Sequence, residues 1–584
     1  MTSIPSDQPT TGKIYAGPLN GEDPLTESEL ALLLAIPHWA EKAPDVTMFR
    51  LPLGPDPTQG WVDATFGESR SIIARLAVDW KTRLSNVVSL SMDDDTIALY
   101  LNKSGCQIAV HSGISDAQLE GIRSSWKGTM IRLTEDEHAH QIALNHKQGQ
   151  TDSTIPWPEP RRPDPALIIH SSGSTGSAKL LPLSSYFITL GLPSPKKLEA
   201  SQNDILTPDP RPILVFSPPY WASFNAALIN RLATGHPTAF AHVKDIAKVS
   251  SSQFIDWPRS LGAGGSVSAP RFIRDVLVSG SESSIKLLQG MDNIAVGGSV
   301  LDESTAALAE KYKLKLINLF GATELGTMML TTQPPFTHLR LLPGIFPLIL
   351  PISGTEPDGS RQVQLWFSPS TSPRVAHLRA KGTIPLKFEP FPGEGPHKGE
   401  LAVRLDDIFK EVTIGTRVSY VYLGRSDDLI KLAGRGGWDI NASTYETELT
   451  SEITSYLASQ NNETAAWTVE GIQLFGNNRP CTALVIQLCP VDHDQHEIGQ
   501  DLLECLYNLV KLVNNKLELE PNRRVHPQKR MLVVTSHGKA YGSGAGSFGE
   551  DIPRLLVTHK HTLQRWKNVE AFTSWMDGLD YSEP

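Results

Sequence analysis

A run of small hydroxylated residues and glycines in the first half of the chain has the chemistry of an anion-binding loop. His170 to Lys179 reads HSSGSTGSAK and directly follows the apolar run Ala166–Ile169, which predicts a buried strand that feeds a loop. Glycines let a backbone curl around a phosphate, and hydroxyl and N–H groups donate hydrogen bonds to it. The lysine adds positive charge. A Ser/Gly linker is the alternative, and the GxxxxGK[ST] spacing of a Walker loop is not met.

A second candidate for phosphate chemistry is the segment Asn318–Glu324, which reads NLFGATE and follows an apolar run. Its last two residues supply a hydroxyl and a carboxylate. A hard cation such as Mg²⁺ prefers carboxylate oxygen and would neutralise charge on nearby phosphates. A lone Thr-Glu pair is also typical of a helix cap, which is the alternative interpretation.

The first segment resembles the phosphate loop of the adenylate-forming superfamily, which comprises acyl-CoA synthetases, nonribosomal-peptide adenylation domains and firefly-type luciferases. Ala178 replaces the proline that is usual before the lysine. Three further motifs occur in the family's order, so the resemblance covers nearly the whole chain and is closest to the adenylation part of fungal nonribosomal-peptide-synthetase-like enzymes. It implies that ATP contacts Ser172, Gly173, Ser174, Thr175, Gly176 and Lys179.

The segment 318–324 is similar to the family's aromatic-Gly-x-Thr-Glu motif, with Phe320 where tyrosine is commoner. By this resemblance Thr323 hydrogen-bonds the α-phosphate of ATP and Glu324 holds Mg²⁺, and both count as catalytic residues. The other nucleotide contacts that the resemblance implies in this segment are Asn318, Leu319, Phe320 and Gly321.

Gly424 to Lys431 (GRSDDLIK) resembles the family's Gly-Arg-x-Asp-Asp hinge. By that resemblance Arg425 and an upstream aspartate bind the ribose hydroxyls of the nucleotide. Asp407 is the preferred aspartate, and Asp406 is a near rival. Asp427 would be the pivot about which a small domain rotates between half-reactions.

The family's catalytic lysine has two candidates near the C-terminus. Thr558 to Arg565 (THKHTLQR) resembles the Thr-Pro-Lys-Gly-Thr-x-Gln-Arg form of its motif, so Lys560 is the expected contact of the reacting carboxylate and phosphate. Lys539, just before a Gly/Ser loop, is the alternative. The loop that lines the tunnel for the thiol acceptor departs from the family, because Asp439 stands where a basic residue is usual.

The segment Val215–Phe224 resembles the family's aromatic motif, with Trp221 where histidine is common. Trp221 and Phe224 are the expected substrate contacts, and Gly297-Gly298 would form the pocket floor. Core packing is the alternative for the aromatic residues. Amino-acid-activating members place an aspartate nearby, and none occurs in residues 215–230. Burying an unpaired ammonium group is costly, so the sequence predicts an aryl, keto or fatty acid as substrate.

Alternating strands and helices must position these motifs. Asn293–Val296 predicts a strand, Asp302 is a plausible cap for a helix over Ser304–Tyr312, and Leu314–Ile317 predicts the next strand. Strand, helix and strand in so few residues make a parallel βαβ unit. Ligands collect at the carboxyl ends of such strands, which is where the Gly-Gly pair and the 318–324 segment fall.

The chain of 584 residues is too long for a single hydrophobic core. The sequence predicts an α/β protein with a flexible lead over residues 1–30 and a large AMP-binding N-terminal domain of layered β-sheets and helices over 31–424. A small mobile α+β C-terminal lid domain would cover 425–584. Near the N-terminus, a short helix from about Glu27 to Ile36 is expected to stop at Pro37.

Composition excludes several classes of partner. The 63 acidic residues outnumber the 53 basic ones, which disfavours binding to nucleic acid. The four cysteines form no CxxC pair and are typical of a reducing compartment. The most apolar stretch, Leu341–Ile352, is short and interrupted by prolines, so no membrane span is expected. The sequence therefore predicts a cytoplasmic protein.

These inferences together predict an ATP- and Mg²⁺-dependent acid–thiol ligase that forms an acyl-adenylate. No Gly-Gly-x-Ser carrier signature follows Lys560, so we expect a separate thiol acceptor, either coenzyme A or a phosphopantetheinyl carrier protein. One alternative is a non-catalytic relative that binds nucleotide or acyl ligand as a partner subunit, which the departure at Asp439 favours. A luciferase-like oxygenase is another, without support in the sequence.

Overall fold

The computed structural model contains two compact units, each with its own hydrophobic core. It describes residues 25–80, 94–111, 115–132, 157, 159–170, 180–191, 211–219, 221–243, 246, 249–381, 386–433, 439–459, 467–491, 497–548, 552–557 and 563–582. Of these, 25–348 and 366–404 form the first unit, and 349–365 and 405–582 form the second. Across these ranges no helix is both long enough and apolar enough to cross a membrane. The domain boundary expected after Gly424 stays a prediction.

The first unit begins with short helices and hairpins and continues with alternating strands and helices. In chain order its elements up to residue 341 are α1 (Glu27–Leu33), α2 (Ala35–Lys42), β1 (Thr47–Pro52), β2 (Trp61–Thr65), α3 (Phe66–Trp80), α4 (Asp94–Lys103), β3 (Ile108–His111), α5 (Asp116–Ser125), β4 (Thr129–Arg132), β5 (Pro165–His170), β6 (Leu180–Ser184), α6 (Ser185–Thr189), β7 (Ile213–Val215), α7 (Ala222–Thr234), β8 (Thr238–Phe240), α8 (Ser251–Ser260), β9 (Gly265–Ser268), α9 (Pro270–Ser279), α10 (Glu282–Gln289), β10 (Asn293–Gly297), α11 (Glu303–Lys311), β11 (Leu316–Ala322), β12 (Gly326–Thr331) and β13 (His338–Leu341).

The predicted helix stop at Pro37 is wrong. The helix α1 ends at Leu33 and α2 begins at Ala35, so Pro37 lies in the first turn of α2. Proline is tolerated there because the N–H groups of a first helical turn have no acceptor within the helix. Pro37 is buried together with Trp39, so it contributes to packing, and the helix continues past it.

Nine strands of the first unit form one sheet, in the order β13-β12-β11-β10-β9-β7-β8-β1-β2. The six strands from β11 to β1 are parallel, and β12, β13 and β2 are antiparallel to their neighbours. The strand order changes direction at β7, which pairs with β8 on one side and β9 on the other. In open parallel sheets ligands bind outside the carboxyl ends of the strands at such a switch point.

Three phenylalanine rings pack together in the core beside this switch point. Phe216 directly follows β7, and its ring centroid lies 4.9 Å from that of Phe254 and 5.0 Å from that of Phe272. Phe254 and Phe272 stack on each other at 5.2 Å. All three side chains are buried, so they fix the point where the chain leaves β7.

The βαβ unit predicted around Gly297 is confirmed. The strands β10 and β11 are parallel, and α11 connects them. The Asp302 carboxylate caps α11 by accepting a hydrogen bond from the Thr305 backbone N at 2.7 Å. The strand β11 continues past the predicted end at Ile317 because its last residues form a hairpin with β12.

The second unit combines a four-stranded sheet with long helices. From residue 348 onward the elements are β14 (Leu348–Pro351), β15 (Arg361–Phe367), α12 (Pro373–Lys381), β16 (Phe388–Pro390), β17 (Leu401–Ile414), β18 (Arg417–Arg425), β19 (Leu429–Lys431), β20 (Asp439–Asn441), α13 (Ala442–Ser459), β21 (Trp467–Phe475), β22 (Ala483–Pro490), α14 (Gln500–Lys516), α15 (Pro527–Arg530), β23 (Met531–Thr535), β24 (Ala540–Gly542) and α16 (Arg565–Asp577). Of these, α12 and β16 lie in the first unit, and β14, β15 and β17 each have residues in both units. The four-stranded sheet has the order β21-β22-β23-β24.

Candidate active site

The carboxyl ends of β10 and β11 bring two of the predicted motifs side by side. Gly297 pairs with Leu319 across the two parallel strands. A Cβ atom on Gly297 would lie 2.9 Å from the Leu319 carbonyl oxygen, which is too close for a larger residue. Gly298 follows with a φ of +82°, a left-handed conformation that glycine adopts without strain. The backbone therefore requires the Gly-Gly pair, and the pair lies directly beside the 318–324 segment.

Thr323 and Glu324 lie in the turn of the β11–β12 hairpin and not at the start of a helix, so the helix-cap interpretation is wrong. The strand pairing is bulged just before Gly321. A Cβ atom on Gly321 would lie 2.6 Å from the Gly326 carbonyl oxygen, so glycine is required for the hairpin to close. The turn presents a hydroxyl and a carboxylate in succession at the carboxyl end of β11.

The Glu324 carboxylate is the candidate cation ligand of this turn. It is half-buried, and no residue in the described part of the chain donates a hydrogen bond to it or forms an ion pair with it. The described residues contain no group of three or more His, Cys, Asp or Glu side chains that could hold a metal ion. A single carboxylate fits Mg²⁺, which keeps several waters and takes one or two carboxylates together with substrate phosphates.

Arg374, which the sequence analysis did not identify, supports this turn. Its guanidinium donates a hydrogen bond from Nη1 to the Leu325 carbonyl and lies 5.4 Å from the centroid of the Phe187 ring. Burial lowers the pKa of Arg374 to about 10, so the group stays charged at neutral pH. Its surroundings in the sequence contain no motif that would reveal this contact. A cavity of about 240 Å³ is lined by Leu325, Met328, Phe346, Phe367, Ser372 and Arg374.

Asn318, an expected nucleotide contact, has a structural partner. Its side chain is buried, and its Nδ2 donates a hydrogen bond to the Phe336 carbonyl at 2.9 Å. The amide thereby ties β11 to the segment that precedes β13. Phe320 pairs with Met329 across the hairpin. Contact of Asn318, Leu319, Phe320 and Gly321 with a nucleotide stays a prediction.

The predicted substrate segment follows β7, at the switch point of the sheet. Trp221 precedes α7 as its N-cap residue, and its indole Nε1 is shielded from solvent without a hydrogen-bond partner among the described residues. The Phe224 ring lies 5.7 Å from the Phe240 ring, so it packs against β8. Substrate contact and core packing are compatible for both residues, and the substrate role stays a prediction.

In the second unit, β17 and β18 bring the predicted ribose ligands together. Asp407 and Arg425 face each other across the two antiparallel strands. The Arg425 guanidinium forms an ion pair with Asp406, with 3.4 Å between Nη2 and Oδ2. Both aspartates therefore lie beside Arg425, and the choice between them stays open.

Gly424 shows why the hinge motif begins with glycine. Its φ is +137°, and a Cβ atom there would lie 2.6 Å from Nδ2 of Asn441. The Asn441 side chain donates a hydrogen bond to the Leu423 carbonyl, and its Oδ1 accepts one from the Thr444 backbone N at 3.0 Å. Asn441 thus ties the start of α13 to the end of β18, a role that the sequence analysis did not identify.

Arg565 is the centre of an ion cluster that the sequence analysis also missed. Its Nε donates to Asp428 Oδ1 at 2.6 Å, and its Nη1 and Nη2 donate to the two carboxylate oxygens of Glu446 at 2.8 Å and 2.5 Å. Glu446 also accepts a hydrogen bond from the Leu474 backbone N at 2.7 Å. The signal in the sequence is the final arginine of the 558–565 motif, where only the lysine carried a prediction.

Several predicted site residues lie outside the described residues. They are the ATP contacts Ser172, Gly173, Ser174, Thr175, Gly176 and Lys179, together with Lys560. The side chains of Asp427 and Asp439 are also not described. Lys539 is described, and its Nζ lies 2.8 Å from Glu497 Oε1 in an exposed ion pair. The roles of all these residues stay predictions.

Comparison with known proteins shows which class of enzyme this chain resembles. Residues 83–356 match the family model of AMP-binding enzymes, and the predicted resemblance to adenylate-forming enzymes is confirmed. A non-canonical non-ribosomal peptide synthetase of Acremonium egyptiacum is 26% identical over 184 residues, and an adenylate-forming reductase of Stachybotrys bisbyi is 25% identical over 177 residues. These matches cover 31% and 30% of this chain and only 16% of either relative's length.

Solved structures of similar fold are adenylate-forming enzymes as well. An anthranilate CoA ligase in complex with anthranoyl-AMP has a TM-score of 0.61 at 12% identity, covering 93% of this chain and 98% of that one. The adenylation domain of a carboxylate reductase from Mycobacterium chelonae has a TM-score of 0.59 at 14% identity, with coverages of 96% and 94%. O-succinylbenzoate CoA synthetase from Bacillus subtilis, in complex with ATP and magnesium, has a TM-score of 0.57 at 13% identity, covering 91% of this chain and 98% of that one. The predicted α/β fold class is confirmed.

Proposed function

We propose that this chain uses ATP to activate a carboxylic acid as its acyl-adenylate. The observation that carries the proposal is that Gly297-Gly298 and the 318–324 segment lie side by side at the carboxyl ends of β10 and β11, where parallel sheets bind ligands. Two proteins of similar fold support it. One is an anthranilate CoA ligase that contains anthranoyl-AMP, and the other is a CoA synthetase that contains ATP and magnesium.

In the proposed reaction, a carboxylate oxygen of the acid forms a bond to the α-phosphorus of ATP, and the bond to the pyrophosphate oxygen breaks. Such a displacement depends on positioning and charge neutralisation more than on covalent protein chemistry. Thr323 would donate a hydrogen bond to an α-phosphate oxygen, and Lys560 would bring positive charge to the reacting groups. Glu324 would hold Mg²⁺, which supplies charge neutralisation at the phosphates when bound.

The proposed substrate is an aryl, keto or fatty acid without an α-ammonium group. Residues 215–230, which follow β7, contain no carboxylate that could pair with an ammonium. An amino-acid substrate would therefore lose the hydration of its charged group without compensation from this segment.

The cytoplasm stays the predicted compartment.

The proposed second step transfers the acyl group to a separate thiol. The sulfur forms a bond to the acyl carbon, and AMP leaves with the carboxyl oxygen that carried it. The CoA ligases of similar fold favour coenzyme A as acceptor, whereas the peptide synthetase relative favours a phosphopantetheinyl carrier protein. Both acceptors remain candidates, and thioester formation with each would distinguish them.

ATP–pyrophosphate exchange with a panel of aryl, keto, fatty and α-amino acids tests the first step. We expect exchange with at least one acid that lacks an α-ammonium group. Exchange with amino acids alone would contradict the proposed substrate class. ATP binding without exchange for any acid would favour the second candidate, a non-catalytic partner subunit, which the departure from the family pattern at Asp439 motivates.

Replacement of the two candidate lysines tests the catalytic assignment. Lys560→Ala is expected to lower exchange about 10²–10³-fold, the size typical of one preorganised electrostatic group. Lys539→Ala is the matched control, because its ammonium already pairs with Glu497 at the surface, where ion pairs contribute little. If the loss follows Lys539 and not Lys560, the catalytic role belongs to Lys539.

A further inference from the structure

The cluster around Arg565 joins three segments of the second unit that are far apart in the sequence. Arg565 is the first residue of α16, Glu446 lies on α13, and Asp428 lies in the turn between β18 and β19. The side chains of Arg565, Asp428 and Glu446 are 23%, 12% and 9% exposed. Charges this well shielded must be paired with good geometry, and the guanidinium satisfies both carboxylates at once.

One side of the cluster is anchored to the sheet of the second unit. The Glu446 carboxylate accepts hydrogen bonds from both terminal nitrogens of Arg565 and from the backbone N–H of Leu474 on β21. Burial lowers the pKa of Arg565, but the two carboxylates outweigh this and raise it, so the guanidinium is charged throughout the physiological range. Arg565 therefore has a fixed position relative to α13 and β21.

The other side of the cluster reaches the predicted ribose site. Asp428 Oδ1 accepts a hydrogen bond from Nε of Arg565, and Asp428 Oδ2 accepts one from the backbone N–H of Arg425 at 3.4 Å. The Asp428 carboxylate thus lies between the guanidinium of Arg565 and the backbone of the residue expected to bind the nucleotide. The Arg425 guanidinium itself is directed to Asp406, so the cluster leaves it beside the aspartates of β17.

We propose that Arg565 is a positioning residue for the nucleotide site, because it holds the turn after Arg425 in place through Asp428. The inference rests on the proposed function, in which Arg425 binds the ribose of ATP. Arg565 contacts no reacting group in this scheme. Its role is to keep the Arg425 backbone in position beside Asp406 and Asp407, one of which is the expected second ligand of the ribose.

Two substitutions that retain most of the cluster test this role. Arg565→Lys keeps the charge but loses the planar fork that reaches both carboxylates. Asp428→Asn leaves the Arg565–Glu446 ion pair intact and weakens only the contacts of residue 428 with Arg565 and with the Arg425 backbone. It serves as the second test if Arg565→Lys does not fold. We expect each to weaken equilibrium ATP binding by about 10-fold, because displacement of a binding group from its productive position is costly.

Lys516→Ala is the matched control. Lys516 also pairs with two carboxylates of α13, Glu448 at 2.7 Å and Glu452 at 3.1 Å, but it does so on an exposed face. Exposed pairs contribute little, so we expect ATP binding to change less than about twofold. Thermal melting of each variant shows that the chain is folded when ATP binding is measured.

A double-mutant cycle separates positioning from general stability. In an Arg425→Ala background, Arg565→Lys is expected to weaken ATP binding by less than about twofold, because the group through which it acts is absent. Equal weakening in both backgrounds would overturn the inference. Binding that Arg565→Lys leaves unchanged would also overturn it while the proposed function stands. A wild-type chain that binds no ATP would overturn both the proposed function and this inference.

Discussion

Among the described residues, the backbone of the β11–β12 hairpin and the Arg374 side chain position the Glu324 carboxylate. Gly321 allows the strands of the β11–β12 hairpin to approach closely, and Gly326 closes the turn with a φ of +71°. Arg374 holds the turn from outside by its hydrogen bond to the Leu325 carbonyl. No side chain among the described residues pairs with Glu324, which makes its carboxylate a candidate ligand for a cation.

Glu324→Gln is therefore expected to lower ATP–pyrophosphate exchange by about 10²-fold or more, and to raise the Mg²⁺ concentration that gives half-maximal exchange. The amide keeps the size of the side chain but removes the charge that a hard cation prefers. A Mg²⁺ titration of the exchange rate measures both effects. Glu310→Gln, on the exposed face of α11, is the control. An unchanged Mg²⁺ requirement in Glu324→Gln would contradict its role as metal ligand.

For single residues, the sequence predicts which side chains belong to the candidate site better than it predicts the hydrogen-bond and ion-pair partners of those side chains. Thr323, Glu324 and Arg425 lie in recognisable motifs, because each motif is a local run of residues. Arg565 and Glu446 are 119 positions apart, so no local pattern indicates that they form a bidentate pair. Asp406 and Asp407 are adjacent, yet the choice between them depends on how β17 twists beside Arg425, which spacing does not determine.

The βαβ unit of β10, α11 and β11 brings the Gly-Gly pair to the 318–324 segment. Its helix starts at a strong cap, because Asp302 accepts hydrogen bonds from the Thr305 backbone N at 2.7 Å, the Thr305 hydroxyl at 2.8 Å and the Ser304 hydroxyl at 2.5 Å. The cap lies four residues after Gly298, so it also fixes where the chain turns after β10.

Asp302→Ala is expected to lower the free energy of unfolding by about 1 kcal/mol, the usual contribution of an N-cap side chain. Ser281→Ala is the matched control, because Ser281 is the N-cap residue of the neighbouring helix α10 but its side chain makes no capping hydrogen bond. Urea unfolding of the two variants compares them. Equal losses would contradict the importance of the Asp302 cap.

Elements whose signals are local could be predicted from the sequence, and those set by distant contacts could not. The cap at Asp302 and the helix after it depend on neighbouring residues, and both are confirmed. The hairpin that places Thr323 and Glu324 depends on the pairing of β11 with β12, so the Thr-Glu pair by itself is also compatible with a helix cap. The effect of Pro37 depends on whether a helix starts before or after it, which the neighbouring residues do not determine.

At the scale of the whole molecule, the length alone predicts more than one core, and each of the two units has a large core of its own among the described residues. The first core is built around β7, β8, β10 and β11 with the helices α8 to α11. The second is built around β21, β22 and β23 with α13 and α14. The α/β class could be predicted because strands and helices alternate along the chain. The grouping of residues 349–365 with residues after 404 depends on contacts between distant parts of the chain, which no local pattern indicates.

Because each unit has its own core, calorimetric unfolding is expected to show two transitions that respond separately to substitutions. Leu288 on α10 and Leu506 on α14 are both fully buried, one in each core, and replacement of such a leucine by alanine costs about 2–5 kcal/mol. Leu288→Ala should lower the midpoint of one transition by several degrees and leave the other in place, and Leu506→Ala should do the reverse, at about 2–4 °C per kcal/mol for units of this size. Each variant is the control for the other. If both substitutions shift a single transition whose calorimetric and van't Hoff enthalpies agree, the two cores unfold as one cooperative structure and the prediction is wrong.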